Sequence, residues 1–207
     1  MPSDFDLIQN HKKLNRKFYL SPVVEVAQKL LGKLFVKLEK DDLLAGMITE
    51  VEAYDGINDE ASHSFKGETE RNKHMFLEGG FTYVYLSYGV HHCLNVVTGI
   101  KGYGAAVLIR AMEPVNGIQT FSLRRFGKTK VNQNEFQNLL NGPGKISQAF
   151  NLTRNDSGKD LLKDELFILD YKKINKKLIS SSRRIGISKS VDLFWRFYIS
   201  NSKFLSR

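Results

Sequence analysis

The chain has 207 residues, 42% hydrophobic and 26% charged, and its 31 Lys+Arg outnumber 22 Asp+Glu to give a formal charge of +9. That length holds one domain, or two small ones, around a real core, and the composition excludes wholesale disorder. No apolar run approaches the ~18 residues of a membrane-spanning helix, and the single cysteine, Cys93, excludes an intramolecular disulfide or a zinc site of several thiolates.

The opening stretch MPSDFDLIQNHKK lacks the apolar segment of a signal peptide, so the expected compartment is the reducing cytoplasm. Ser21-Pro22 predicts a helix start, with Ser21 as N-cap and Pro22 at the first helical position. Val23, Val26, Ala27, Leu30 and Leu31 form its apolar stripe, and Gly32 is its stop. Residues 34–38 alternate as a strand, Lys40-Asp41-Asp42 turns, and residues 44–54 return as a second strand. Residues 55–80, rich in Gly, Asp, Glu and Asn, read as a long loop of the kind that carries function or some helix. Residues 81–88 and 93–98 read as a β-hairpin around Gly89. Residues 105–112 form a buried strand ended by Glu113-Pro114, and Val115, Ile118, Phe121 and Ser122 continue on one helical face. Two short helices are expected over 136–140 and 146–150, joined by Asn141-Gly142-Pro143-Gly144, and late strands over 166–169 and 197–199. The sum is a single α+β domain with a mainly antiparallel sheet.

Strand alternation puts Glu50, Glu52 and Tyr54 on one face and Met47, Thr49, Val51 and Ala53 on the other, core face. Two carboxylates ~6.5–7 Å apart beside an aromatic ring can do acid/base work at a glycosidic bond, although a solvated strand face is the commoner use of such a pair. His91 and His92, adjacent in a strand, point to opposite faces, so no metal site is expected from them. His63 follows the Glu52/Tyr54 face in the polar loop and can fold back over it, or lie plainly on the surface. Tyr83 and Tyr85 share a face with Phe81, and Tyr88 reaches the hairpin tip, where an exposed ring can insert into a base stack.

The positive charge is uneven. Residues 1–100 carry 11 Lys+Arg and 14 Asp+Glu, whereas residues 101–207 carry 20 and 8. A basic half suits a phosphate-backbone binder and equally a Lys-rich solvated surface. Its run contains Arg110, Arg124, Arg125, Lys128, Lys130 and Lys145, and Gly142-Pro143-Gly144-Lys145 opens a helix without matching a P-loop. Arg110 interrupts an apolar strand, where an arginine is paired or faces a site; Glu52 is its expected partner.

Five stretches together resemble the alkyladenine (3-methyladenine) DNA glycosylase family: EVEAYDGINDEASHS at 50–64, RNKHMF at 71–76, TYVYLSYGVHHCLNV at 82–96, VLIRAMEP at 107–114 and GPGK at 142–145. The similarity runs from about Phe18 to Tyr198 in the family's order and spacing. It implies a curved, mainly antiparallel sheet with flanking helices and a protruding hairpin. It also implies a single glycosylase domain at 18–200, between a flexible N-terminal arm at 1–17 and a C-terminal tail at 201–207. By resemblance, Glu52 is the general base and Arg110 positions the water and the nucleotide's phosphate. Tyr54 and Tyr85 stack on the flipped base, His63 holds it from the side opposite Tyr54, and Asn95 at the pocket floor discriminates against the 2-amino group of guanine. Tyr88 is the wedge, while Arg125 and Lys145 are the expected backbone contacts.

The family uses no metal or other cofactor. Its implied partner is duplex DNA with damaged purines, met by a monomer away from membranes and, in a bacterium, near the nucleoid. No lysine occupies the Glu52 role, so a monofunctional enzyme is expected. His91-His92 and the segments 125–141 and 172–196 depart from the family's pattern. Two other readings make distinct predictions: a carbohydrate glycosidase using Glu50 with Glu52, and a non-catalytic damaged-DNA binder.

Overall fold

A strand of 13 residues, β2 (Asp42–Tyr54), organises the sheet in this computed structural model, which describes residues 9–40 and 42–206. Along one edge it pairs with β5 (Ala105–Asn116). Along the other it pairs first with β1 (Leu34–Glu39) and then, at Glu50–Glu52, with β8 (Arg196–Ile199). The order is β3 (Thr82–Ser87), β4 (His91–Thr98), β5, β2, β1, β6 (Leu166–Leu169), all antiparallel, with β7 (Ile179–Ser182) on β8. Around it lie α1 (Arg16–Tyr19), α2 (Val23–Leu30), α3 (Ile118–Phe126), α4 (Gln133–Gln137) and α5 (Pro143–Ala149). This is the expected α+β domain with a curved antiparallel sheet.

Apolar pattern explains the layers. Val26, Ala27 and Leu30 of α2 share one buried cluster with Ile48, Val51, Ala53, Val107 and Ile109 of the central strands and with Ile146 and Phe150 near α5. Leu34, Val36, Leu43, Ala45, Met47, Phe167 and Leu169 form a second cluster. Met47 therefore does not share the face of Val51 and Ala53. The reason is a bulge: Ile48 pairs with Met112 and Glu50 with Ala111, leaving Thr49 unpaired and reversing the alternation. A second irregularity follows at once. Glu50 pairs with Ala111 and Val51 with Ile109, so Arg110 is the extra residue on β5.

Several local expectations are corrected. Pro22, not Ser21, occupies the N-cap of α2 and makes no side-chain cap, while Gly32 follows the helix at φ +82° as expected of its stop. Pro114 does not end β5; it pairs opposite Gly46 beside another register shift, where a missing N–H is tolerated, and Val115 belongs to the strand rather than the helix. The two short helices begin earlier than expected, because Asn132 and Glu135 form a capping box for α4 and Pro143 sits in the first turn of α5. The long loop contains a short 3₁₀ turn at Lys73–Phe76. β7 carried no sequence signal, being mostly serine.

Residues 1–8 of the expected arm, Asp41 of the expected turn and Arg207 of the expected tail lie outside the described residues. In the described part of the arm, Leu14 is buried and its N–H donates to Ile168 O at 2.8 Å. In the described part of the tail, Ser206 is buried against Glu50.

Candidate active site

The two bulges flank the Glu50–Ala111 pair, one on β2 and one on β5, and they gather charge in the sheet. Arg110 donates from Nε to Glu50 Oε1 at 3.1 Å and from Nη1 to Glu52 Oε2 at 3.2 Å, so the expected Arg110–Glu52 pair is present. Both carboxylates are fully buried, and the solvated-face reading does not hold. Glu50 also accepts from Arg196 Nε at 2.7 Å and from the Ser206 backbone N–H and hydroxyl at 2.5 and 2.7 Å. These bonds tie β2, β5, β8 and the C-terminal segment into one knot around the wholly buried Glu50.

Glu52 is held differently. Its Oε1 accepts the Ile185 backbone N–H at 2.7 Å, and its Oε2 accepts the Tyr54 hydroxyl at 2.8 Å as well as Arg110. Three donors occupy three of its roughly four acceptor positions. Tyr54, Arg110 and Ile185 themselves line a cavity of about 500 Å³, so the carboxylate lies one layer behind its wall.

The rest of that wall is aromatic. Tyr83 and Tyr85 stack with centroids 5.5 Å apart, and His63 meets Tyr85 edge-on at 4.5 Å while its Nδ1 lies 3.0 Å from the Tyr83 hydroxyl. The long loop thus does fold His63 back over the site. Asn95 spends its amide hydrogens on Tyr83 O and Cys93 O, at 3.0 and 3.3 Å, which fixes it rigidly at the cavity surface. Burial raises the Tyr54 hydroxyl, helped by the neighbouring Glu52 charge, and burial followed by the Cys93 thiol raises Tyr85. Tyr83 is pushed up to about 12 by burial. His63 is lowered by burial and then by Arg71. The rings facing the cavity are therefore neutral near pH 7, with a carboxylate behind them. Such electron-rich faces attract a planar cation.

Tyr88 stands at the hairpin tip, 93% exposed, between Ser87 and Gly89 on the cavity rim. Its φ is +48° and that of Gly89 +71°, and the Val90 N–H closes the turn on Ser87 O at 3.0 Å. A bulky residue is rarely found in that region of backbone space.

The methylpurine-DNA glycosylase (MPG) family matches residues 17–203. The chain belongs to this family. A protein of Clostridium novyi (strain NT) bearing the name "Putative 3-methyladenine DNA glycosylase" is 46% identical over 202 residues, covering 95% of this chain and 99% of the relative. Relatives with the same name from Alkaliphilus oremlandii (strain OhILAs) and Chlorobium luteolum are 44% and 43% identical over 201 and 196 residues. Each alignment covers 94% of this chain, and 99% and 97% of those two relatives respectively.

Membership makes the protein a DNA glycosylase, a hydrolase of N-glycosyl bonds, and accounts for the motifs at 50–64, 71–76, 82–96, 107–114 and 142–145. The structure brings Tyr54, His63, Tyr85, Tyr88, Asn95 and Arg110 to one cavity, with Glu52 behind it. Arg125 and Lys145 are not among its lining residues. Arg125 donates to Leu139 O and to the Gln148 side chain, and Lys145 to Asn141 Oδ1 at 2.7 Å. Lys145 nevertheless belongs to α5, whose Gly144 packs so closely on His91 that a Cβ there would lie 2.9 Å from that ring. His91 thus has a packing role: it seats the start of α5 against the hairpin.

Sequence reasoning missed Arg71, Met75 and the segment Ile185-Gly186-Ile187, all of which line the cavity. Arg71 and Met75 lay within a recognised motif, RNKHMF, as the available signal. The 185–187 segment sits in the stretch that departs from the family's pattern, and only its place in the fold reveals it. Among the described residues, no helix is long and apolar enough to cross a membrane.

Proposed function

We propose that this enzyme excises N-alkylated purines, 3-methyladenine among them, from duplex DNA by base flipping and attack of a Glu52-activated water. The observation that carries the reading is the carboxylate of Glu52, held by three donors directly behind an aromatic cavity whose rim bears the exposed Tyr88. Tyr88 would enter the duplex and fill the gap left by the flipped nucleotide. Flipping costs a few kcal/mol of stacking and pairing, and stacking on Tyr54 and Tyr85 returns about 1–3 kcal/mol per base. His63 contacts the base from the side opposite Tyr54. Asn95, pinned by two backbone carbonyls, cannot retreat from an exocyclic 2-amino group, which works against normal guanine.

Alkylation on a ring nitrogen makes the purine cationic, and neutral tyrosine faces favour that charge. A water accepted at the remaining position of Glu52 loses its proton to the carboxylate as its oxygen bonds to C1′. The C1′–N bond breaks, and its electron pair leaves with the purine, which becomes neutral. Glu52 also stabilises the positive charge growing on the sugar. Arg110 orients the carboxylate and reaches the cavity, where it can meet the water and the nucleotide's phosphate. No lysine is among the residues lining the cavity, in keeping with a monofunctional enzyme that leaves an abasic site. Arg125 and Lys145 hold flanking phosphates. The reading needs no cofactor, and it places a monomer in the cytoplasm at the DNA.

The test is incubation of wild-type protein and Glu52→Gln with alkylated duplex DNA, followed by analysis of released bases. Free 3-methyladenine from wild type and almost none from Glu52→Gln is the expected result. Binding to damaged DNA with no base released by wild type would leave the non-catalytic damage binder as the correct reading.

A further inference from the structure

We propose that the buried ion pair between Asp59 and Arg184 is a positioning latch for Glu52, an inference that rests on the glycosylase reading above. Both side chains are wholly inaccessible. Arg184 engages Asp59 with both arms of its fork, Nη2 donating to Oδ1 at 2.7 Å and Nη1 to Oδ2, and Nη1 also donates to Ala53 O at 2.9 Å. Its guanidinium lies 4.6 Å from the centre of the Tyr54 ring and 5.6 Å from that of Trp195.

Two of the three donors to Glu52 therefore depend on Arg184. The next residue in the chain, Ile185, gives its N–H to Glu52 Oε1, and Tyr54, against which the guanidinium packs, gives its hydroxyl to Oε2. Asp59 extends the coupling to the loop that carries His63. Its Oδ1 accepts the Ala61 N–H at 3.1 Å, and Ala61 and His63 both line the cavity. One pair thus fixes the loop that carries His63 and the segment that carries Ile185. Buried ion pairs seldom outperform apolar packing as a source of stability, so a pair placed here is better explained by the geometry it imposes. Holding a reacting carboxylate by locked neighbours is the general requirement for a precise site.

The experiment uses the full chain with single-lesion duplex DNA. Asp59→Asn, Arg184→Met and Arg184→Lys are compared for melting temperature, affinity for an abasic-analogue duplex, and single-turnover excision rate corrected for active enzyme. Loss of a hydrogen bond to a charged group predicts a fall in that rate of about tenfold or more for Arg184→Met and Asp59→Asn. Affinity should stay within about threefold, and Arg184→Lys should recover part of the rate. A purely structural pin would lower melting temperature and active fraction while leaving the corrected rate constant at wild type, and that result overturns the latch. Arg184→Lys and Asp59→Asn keep the test decisive if Arg184→Met does not fold. If wild-type protein releases no base, the glycosylase reading fails, whatever the variants do.

Discussion

Arg110 reaches Glu52, at 3.2 Å, from a bulge of β5 that has no partner on β2. In regular register Arg110 would share a face with Met112, two positions on, which belongs to the main core cluster. The bulge turns a charged side chain out of an apolar strand without breaking the strand, and the matching bulge at Thr49 does the same for Glu50. The geometry of the candidate site is thus written in two single-residue irregularities of one strand pair.

That arrangement separates the roles of the two carboxylates. Glu52→Gln removes the base, and excision per folded molecule should fall by about 10²–10⁴-fold. Glu50→Gln leaves Arg110 and Arg196 facing a neutral partner in a buried knot. Its cost should appear as stability, about 3–5 kcal/mol, or roughly 6–20 °C in Tm. Excision per folded Glu50→Gln molecule should remain far above that of Glu52→Gln. Equal loss of chemistry in both variants would support the paired-carboxylate glycosidase instead.

Tyr88 carries a strained backbone and an exposed ring, a combination that stability alone does not select. Tyr88→Gly suits the positive φ and should leave Tm unchanged or raise it slightly, since the left-handed region costs a side-chain-bearing residue roughly 1–2 kcal/mol. Affinity for lesion-containing duplex should drop by tenfold or more, on the order of one lost intercalating ring. Differential scanning fluorimetry and a binding titration check both halves. A large fall in Tm would mean that the ring is a packing residue.

The strands that build the site were legible because alternation, β-branched runs and turn residues agree along 34–54, 81–98 and 105–112. Placement of Glu52, Tyr54, Tyr85, Asn95 and Arg110 followed from those strands together with the family motifs. The side to which Met47 points was not legible, because a bulge is a local backbone event that leaves the residue pattern unchanged. Neither was Ile185, which serves Glu52 through its backbone N–H, a group every non-proline residue possesses. Asp59 and Arg184, 125 positions apart, carry no periodic signal; only the fold shows that they meet.

His63 supplies a pH dependence with a definite sign. Burial and Arg71 lower its pKa from the ordinary 6.5, so the folded protein binds this proton less readily than the unfolded chain does. Stability therefore rises with pH through this region and is lost as pH falls below about 6.5 toward the lowered folded value. Activity should follow the same direction, because a protonated imidazole beside a cationic purine repels it. His63→Gln should flatten the decline in both Tm and excision between pH 7 and 5, relative to wild type. An unchanged pH profile would show that His63 does not titrate in this range or does not touch the base.

Lys145 and Arg125 are the expected grip on flanking phosphates, and salt titration measures that grip directly. Each phosphate neutralised contributes about −0.9 to the slope of log affinity against log salt concentration. Lys145→Ala and Arg125→Ala should each make the slope shallower by about one contact. Lys145 sits at the start of α5, the helix packed on His91 beside the hairpin that carries Tyr88, so it is well placed to reach the strand around a flipped base. Arg125 already donates to Leu139 O and Gln148, and Lys145 to Asn141, so DNA must outcompete existing partners of both. A slope unchanged in both variants would move the phosphate contacts elsewhere on the basic half of the chain.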